Sequence, residues 1–260
     1  LHCDRSARTR SRIRGGADVI ARAPGPQNRI PRVHNPKEVA GRRAAELVED
    51  GMTVGLGTGS TVHFTLVALG ERIAAENLAV RGVPTSIDTE KKAKELGIPL
   101  FSLDEIEQID LTIDGADEID GDFNMLKGGG GALLREKVVA AMSKREAIVV
   151  GGDKVVKRLG TTFALPVEAV PFAIGPVKRA LIRLGCTPRL RERAGKPYVT
   201  DNGNHILDCT FKQGIADAPA LERAIAMIPG AVESGLFIGL AHLLVIGSDD
   251  GSCDVREKRH

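Results

Sequence analysis

Residues 52–73 read MTVGLGTGSTVHFTLVALGERI, and this stretch decides the fold. Met52–Leu56 is a short apolar strand. Gly57-Thr58-Gly59-Ser60-Thr61 breaks it, and Val62–Ile73 then carries apolar residues at helical spacing. Strand, glycine loop and helix follow one another without a spacer. The pattern recurs downstream. Leu78–Val83 reads as a strand, and Asp88–Leu96 as a helix capped by Asp88 and closed by Gly97. Ile109–Ile113 is a strand, Ala132–Ser143 a helix and Ala147–Val150 a strand. Upstream, Asn35, Pro36 and Glu38 form a helix start of the capping-box kind. That helix presents Val39, Leu47 and Val48 and ends at Gly51. Strands alternating with helices make an α/β fold with a parallel sheet covered on both faces. Ligands on such sheets bind beyond the carboxyl ends of the strands.

The texture changes after about residue 160. Pro166–Val170 and Pro188–Arg193 read as strands around a helix at Pro176–Leu184. Asp201-Asn202-Gly203-Asn204 is a hairpin turn signal between Tyr198–Thr200 and His205–Cys209. A helix at Ala218–Met227 and a strand at Ala231–Phe237 complete the split βαβ pattern of a small ferredoxin-like α+β domain. His242–Ile246 is a buried strand expected to return to the first sheet. The expected division is therefore 33–160, completed by 238–260, as the larger domain, and 161–237 as the smaller one.

Of the 36 basic and 34 acidic side chains, eight Arg and two Asp lie in residues 1–32. The remainder holds 28 basic and 32 acidic groups, so its net charge of −4 gives no nucleic-acid footprint. Seven Phe, one Tyr and no Trp leave little to stack bases on. Residues 1–32 are Arg-rich and acid-poor, as organellar transit peptides are, yet contain only two serines. They are expected to be a disordered leader outside the fold. No apolar run reaches the ~20 residues of a membrane span. Cys3, Cys186, Cys209 and Cys253 form neither a CxxC motif nor a disulfide framework, which fits a reducing cytoplasm.

Three loops carry chemistry, each just after an expected strand. Gly57–Thr61 offers close backbone approach, hydroxyls and the N-terminus of a helix, which suit a phosphate. It is neither a Walker A loop nor GxGxxG, and alone it is equally a packing turn. Asp114-Gly115-Ala116-Asp117-Glu118 places two carboxylates, Asp114 and Asp117, at the end of a strand. Crowding there raises at least one pKa toward neutrality; Glu118 and Asp120 are expected to face solvent. Lys127-Gly128-Gly129-Gly130-Gly131 precedes the helix bearing Glu136. Four consecutive glycines are costly in chain entropy, so a purely structural loop rarely uses them. Lys127 would bring a cation to the rim. Glu136, beside Leu133 and Leu134, would look back into the loop as a general base, or else pair with a surface cation. Lys154 lies at the same sheet edge and by itself reads as a solvated lysine. No histidine has metal-ligand spacing, so no metal is expected. Ser60 lacks the GxSxG context of a hydrolase.

Taken together, these segments closely resemble the A-type ribose-5-phosphate isomerases. The resemblance rests on GLGTGST (Gly55–Thr61), Pro84-Thr85-Ser86, DLTIDGADEID (Asp110–Asp120), LKGGGGALLREKV (Leu126–Val138) and Gly152-Asp153-Lys154. It continues through Leu165–Pro171, VTDNGNHILD (Val199–Asp208) and Gly235-Leu236-Phe237, and runs from about Lys37 to about Gly251. It implies a Rossmann-like domain with a smaller α+β domain, in a homodimer or homotetramer. It also implies cofactor-free interconversion of D-ribose 5-phosphate and D-ribulose 5-phosphate in the non-oxidative pentose phosphate pathway. Glu136 would then move the proton between C2 and C1. Asp114 and Asp117, with Gly115 and Ala116 between them, would bind substrate, and Asp114 would assist ring opening or hydroxyl proton transfer. Lys127 with Gly128, Gly129 and Gly130 would hold the sugar oxygens. Thr58, Gly59, Ser60 and Thr61 would form a substrate loop, with Lys154 and Lys37 as further substrate lysines.

Two rival readings differ in visible ways. A hexosamine-phosphate deaminase-isomerase needs its own acid–base set, which is not present. A sugar-phosphate sensor without turnover should lack the base and carry a DNA-binding segment, whereas Glu136 is present and residues 1–32 contain no helix-turn-helix.

Overall fold

Asn35 starts the first helix by accepting the Lys37 N–H with its side chain, and Pro36 occupies the first helical position. The computed structural model describes residues 33–258; the expected leader lies outside them. Helix α1 (Pro36–Ala45) ends six residues before Gly51. The reason is Arg72, which donates to the Ala45 and Val48 carbonyls at 2.6 and 2.9 Å. With those groups satisfied from outside, the chain tightens into a turn and Val48 enters the core from there. Glu38 completes no capping box and instead pairs with Arg42 at 3.2 Å.

Strand β1 (Thr53–Leu56), helix α2 (Ser60–Glu76), β2 (Arg81–Pro84), α3 (Ile87–Glu95) and β3 (Ile109–Asp114) follow the expected alternation. Ser86, not Asp88, caps α3: its hydroxyl accepts the Thr89 N–H at 3.0 Å, while Asp88 pairs with Lys92. Two short strands, β4 (Glu118–Ile119) and β5 (Met125–Leu126), precede α4 (Leu133–Ala141) and β6 (Ser143–Gly151). Then come β7 (Leu165–Ala169), α5 (Ile174–Arg183), β8 (Thr187–Leu190), the two-residue pair β9 (Glu192–Arg193) and β10 (Lys196–Pro197), and β11 (His205–Thr210). Helix α6 (Ala218–Ala226), β12 (Ala231–Ser234), β13 (Leu236–Phe237), β14 (Leu243–Gly247) and β15 (Cys253–Glu257) complete the chain.

The main sheet has the order β15-β14-β6-β3-β1-β2, parallel except for the edge strand β15. From β1 the chain moves one way to β2 and then crosses to β3 on the other side. The crevice between the ends of β1 and β3 is the topological switch point, where ligands bind on such sheets. Val54, Leu56, Leu66, Leu69, Leu111 and Val149 fill one face of the sheet. Leu133, Ile148, Val150, Phe237 and Leu244 fill the other. Each such residue contributes about 1.5–3 kcal/mol by leaving water. Among the described residues no helix is long and apolar enough to cross a membrane.

The second sheet has the order β12-β7-β11-β8, antiparallel throughout, with α5 and α6 as its crossovers. This is the split βαβ connectivity of a ferredoxin-like unit. The hairpin expected between 198–200 and 205–209 is only a turn, closed by Thr200 N–H to the Asn204 carbonyl at 2.9 Å. Its polar side chains are committed elsewhere: Thr200, Asn202 and Asn204 all donate to the buried Glu168 carboxylate. β11 therefore pairs with β7 and β8. The single strand expected over 231–237 is divided at Gly235. There the chain leaves β12 for a third small sheet, β13-β5-β4. A Cβ at Gly235 would lie 2.2 Å from the Lys127 carbonyl, so only glycine permits the crossing.

Glu118 does not face solvent. It is fully buried and accepts from the N–H groups of Gly160, Thr162 and Phe163 and from the Thr162 hydroxyl, at 2.5–2.8 Å. Asp120 is half-buried and accepts the Asp122 and Asn124 N–H groups, both at 2.9 Å. Both carboxylates supply acceptors that irregular backbone requires.

Candidate active site

The glycine loop after β1 passes directly over the end of β3. A Cβ at Gly57 would sit 2.2 Å from Asp114 Oδ1, so this approach requires glycine. Asp114 Oδ1 accepts the Thr58 N–H at 3.0 Å and the Gly115 N–H at 2.7 Å. The Thr58 hydroxyl contacts those of Thr85, Ser86 and Thr89 at 2.8–3.1 Å, which pins the loop from below.

Lys127 is not at the rim. It is 2% exposed, and its ammonium lies at the centre of the site. The Nζ donates to the Gly115 carbonyl and forms ion pairs with Asp114 Oδ2 at 3.0 Å and Glu136 Oε1 at 3.3 Å. It also stands 5.3 Å from the centre of the Phe237 ring, while Lys137, tied to Glu222 and Glu233, stands 5.0 Å from the same ring. Burial would lower the Lys127 pKa, but the carboxyls of Asp114, Glu136 and Glu146 overcome this and hold it above its ordinary value.

Glu136 comes from the first turn of α4 and is 5% exposed. One oxygen meets Lys127; the other, Oε2, has no hydrogen-bond partner. Burial pushes this carboxyl up to about 8, with Lys127 opposing and Asp114 and Asp117 adding to the rise. Asp117 is also raised, chiefly by burial, although its Oδ2 accepts the Gly129 N–H at 2.8 Å.

One cavity of about 190 Å³ is lined by nearly every residue singled out from the sequence. Lys37, Thr58, Gly59, Ser60, Thr61, Gly115, Ala116, Asp117, Lys127, Gly128, Gly129, Gly130, Glu136 and Lys154 all border it. Asp114 does not; it lies behind Lys127, fully buried. The lining divides by chemistry. Lys37, which donates to Ser60 Oγ at 3.0 Å, lies with Ser60, Thr61 and the N-terminus of α2. Lys154 adds a second cation, 3.5 Å from Asp153. These groups suit a phosphate. Asp117, Lys127 and Glu136 supply two carboxyls of raised pKa around an ammonium, which suits proton transfer beside a carbonyl.

Sequence reading missed the outer support of the glycine loop. Arg191 donates to the Gly128 and Gly129 carbonyls at 2.8 and 3.3 Å, and its other nitrogens clasp Asp208 at 3.0 and 2.5 Å. Tyr198 donates its hydroxyl proton to the Gly130 carbonyl at 3.1 Å. Asp208 closes the VTDNGNHILD motif, which was the available signal. Arg191 stands in no motif, and its role depends on where the second sheet sits.

A family profile described as ribose 5-phosphate isomerase A (phosphoriboisomerase A) matches residues 81–251. The ribose-5-phosphate isomerase A of Bacillus mycoides is 49% identical over 84% of this chain and 97% of its own length. That of Thermosynechococcus vestitus is 47% identical over 86% and 96%. Among solved structures, the ribose 5-phosphate isomerase A of Methanocaldococcus jannaschii superposes with a TM-score of 0.81 at 39% identity, covering 85% of this chain and 98% of that one. A D-ribose-5-phosphate isomerase in complex with phospho-erythronic acid gives 0.83 at 33% identity, covering 86% and 100%.

Proposed function

The chain belongs to the ribose 5-phosphate isomerase A family, and from that premise we propose how its cavity interconverts D-ribose 5-phosphate and D-ribulose 5-phosphate in the pentose phosphate pathway. The observation that carries the assignment is Glu136: one carboxylate oxygen is held by Lys127 and the other is unpartnered at the cavity wall. The substrate phosphate sits against Lys37, Ser60, Thr61 and Lys154, and this remote binding positions the reacting carbons. Glu136 removes the C2 proton of the open-chain aldose. The C–H electrons form the C1=C2 bond, and the carbonyl electrons move onto O1. Lys127 stabilises the oxyanion electrostatically. The O2 hydroxyl proton is transferred to O1 by way of Asp117, the second carboxyl on the wall. Glu136 then returns its proton to C1 as the O2 carbonyl forms. Asp114, behind Lys127, holds the ammonium and the Thr58 N–H in place.

Proton NMR of ribose 5-phosphate in D₂O with the purified protein tests this reading. One deuterium at C1 of the ribulose 5-phosphate formed, with exchange at C2 of the recovered ribose 5-phosphate, is the expected result. Ketose formed with the proton fully retained would still mean an isomerase, with a shielded base or a hydride shift; no ketose at all would overturn the reading.

The base must be ionised to accept a proton, and burial holds it up at about 8. The rate constant kcat/KM therefore rises nearly tenfold per pH unit from pH 6.5 and reaches about half its limiting value near pH 8. This limb lies apart from the phosphate's own titration at about 6. A profile flat from pH 6.5 to 8 would count against the assignment.

The labour divides between residues 33–160 with 238–260, which carry the reacting groups, and residues 161–237, which brace the glycine loop. Arg191→Ala frees the Gly128 and Gly129 carbonyls and leaves Asp208 uncompensated. Steady-state assays should show kcat/KM down about tenfold or more, with the large sheet intact by circular dichroism. An unchanged kcat/KM would mean that the loop holds itself. The free thiols of Cys186, Cys209 and Cys253 support a cytoplasmic location. The assembly is a homodimer or homotetramer, for which the exposed Phe172, in the turn before α5, and Met227, at the end of α6, are candidate contacts; sedimentation equilibrium decides between them.

A further inference from the structure

Behind the Lys127–Asp114 pair lies a carboxyl that the reaction scheme does not use. Glu146 is in the middle of β6, fully buried, and neither of its oxygens has a hydrogen-bond partner. The register places it opposite Thr112, two residues before Ile148, which is opposite Asp114. Strand alternation puts Glu146 on the face of Ile148 and Val150, which pack with Leu133 of α4 and with Phe237, the ring beneath Lys127. Its backbone is fixed at both polar groups: its N–H donates to His242 Nδ1 at 3.1 Å and its carbonyl accepts the His242 N–H at 2.9 Å.

We propose that Glu146 is a further positioning residue of this isomerase, acting on substrate only through the Lys127 ammonium in front of it. The proposal rests on the reading of Lys127 as the group that stabilises the oxyanion.

The charge inventory supports it. One ammonium, Lys127, is ion-paired with Asp114 and Glu136 and lies within electrostatic reach of a third carboxyl, Glu146. Asp114 has the donors that a charged carboxylate needs, namely two N–H groups and the ammonium. Glu146 has none, and an ionised carboxylate buried without donors is very costly, so it is held neutral at neutral pH. Its pKa is pushed up to about 8, mainly by burial, with Lys127 opposing and Asp114 adding. Also beside it are the His242 ring, whose Nδ1 accepts the Glu146 N–H, and, from α4, Glu136 and Lys137, the latter on Phe237 and committed to Glu222 and Glu233. The next basic residues on its own strand turn elsewhere, Arg145 to Glu257 and Lys144 to Asp110. When Glu146 ionises, a second negative charge sits behind the ammonium and weakens its pull on the developing oxyanion. A neutral Glu146 thus keeps Lys127 effective, and turnover declines at alkaline pH as that neutrality is lost.

The test compares the wild type with Glu146→Gln, which is neutral at every pH. In kcat profiles from pH 7 to 10, the wild type should fall above about pH 8. The variant should lose that fall, retaining at pH 9.5 about fivefold more of its pH 8 rate. Superimposable profiles overturn the proposal. A second readout needs no turnover: carbon-13 NMR with carboxyl-labelled Glu should show an alkaline-titrating Glu signal that Glu146→Gln removes. If no such signal disappears, Glu146 is not a neutral buried acid and the proposal fails. If Glu146→Gln does not fold, Glu146→Leu takes its place in both measurements. A wild type without turnover would overturn the isomerase reading, and the inference with it; a turning-over wild type with the Glu146 signal absent overturns the inference alone.

Discussion

Glu136→Gln should lower kcat at least ~100-fold while leaving KM within several-fold. The amide has nearly the shape of the acid and can still meet Lys127 through its oxygen. The phosphate contacts proposed at Lys37, Ser60, Thr61 and Lys154 are untouched, so binding should survive. What is lost is the buried, partnerless carboxylate oxygen of Glu136 at the wall. Steady-state kinetics with ribose 5-phosphate, together with solvent-proton exchange at C2, checks this. Exchange persisting in the variant would mean that Asp117 or water removes the proton. The fold should not suffer, because an amide replaces a carboxyl that burial already disfavours in its charged form.

Lys127→Met is expected to cost both activity and stability. Methionine fills similar volume, but Asp114 and Glu136 then lose the ammonium at 3.0 and 3.3 Å. Removing one partner of a buried ion pair costs about 3–5 kcal/mol, because the other charge is left uncompensated. In a chain of this size that corresponds to a fall in Tm of about 10 °C or more. The sign of its pH dependence follows. Without the ammonium the stranded carboxyls bind protons more readily in the folded state than in the unfolded one. Stability is then retained at low pH and lost as pH rises, so the deficit relative to wild type should be larger at pH 8 than at pH 5. Calorimetry at the two pH values decides. An equal deficit at both would mean that Lys127 contributes packing rather than charge. Turnover should fall at least ~100-fold, as expected for the loss of a donor at a developing oxyanion.

Much of this site could be read from the chain because local sequence creates its parts. Gly57, Gly59 and the glycines at 128–131 are needed by the backbone itself, and strand-to-helix turns announce where a parallel sheet binds ligand. The second sheet was legible too, since turn signals and periodicity change together near residue 160. What escaped depends on contacts made far along the chain. Lys127 looked like a rim cation because lysine is usually exposed, and its burial depends on Asp114 and Glu136 converging on it. Glu118 looked solvated because its acceptors serve backbone some forty residues later. The end of α1 depends on Arg72 reaching back from α2, and no residue between Ala45 and Gly51 signals it. Glu146 sits within a strand whose neighbours give no hint of an acid, and only the register with β3 places it behind the ammonium.

The grip of Arg191 and Tyr198 on the carbonyls of residues 128–130 has a further consequence. Half of the proposed catalytic wall is borrowed scaffolding: its own glycines supply no stiffness, and rigidity arrives from another sheet. The enzyme's output is therefore a gauge of that neighbour's health. On gentle warming, a loosening of the four-stranded layer would idle the catalyst while the six-stranded layer still stood, since local opening precedes global unfolding wherever contacts are thinnest. Heat thus has two routes to silence this protein, through the buttress as well as through the hall it supports.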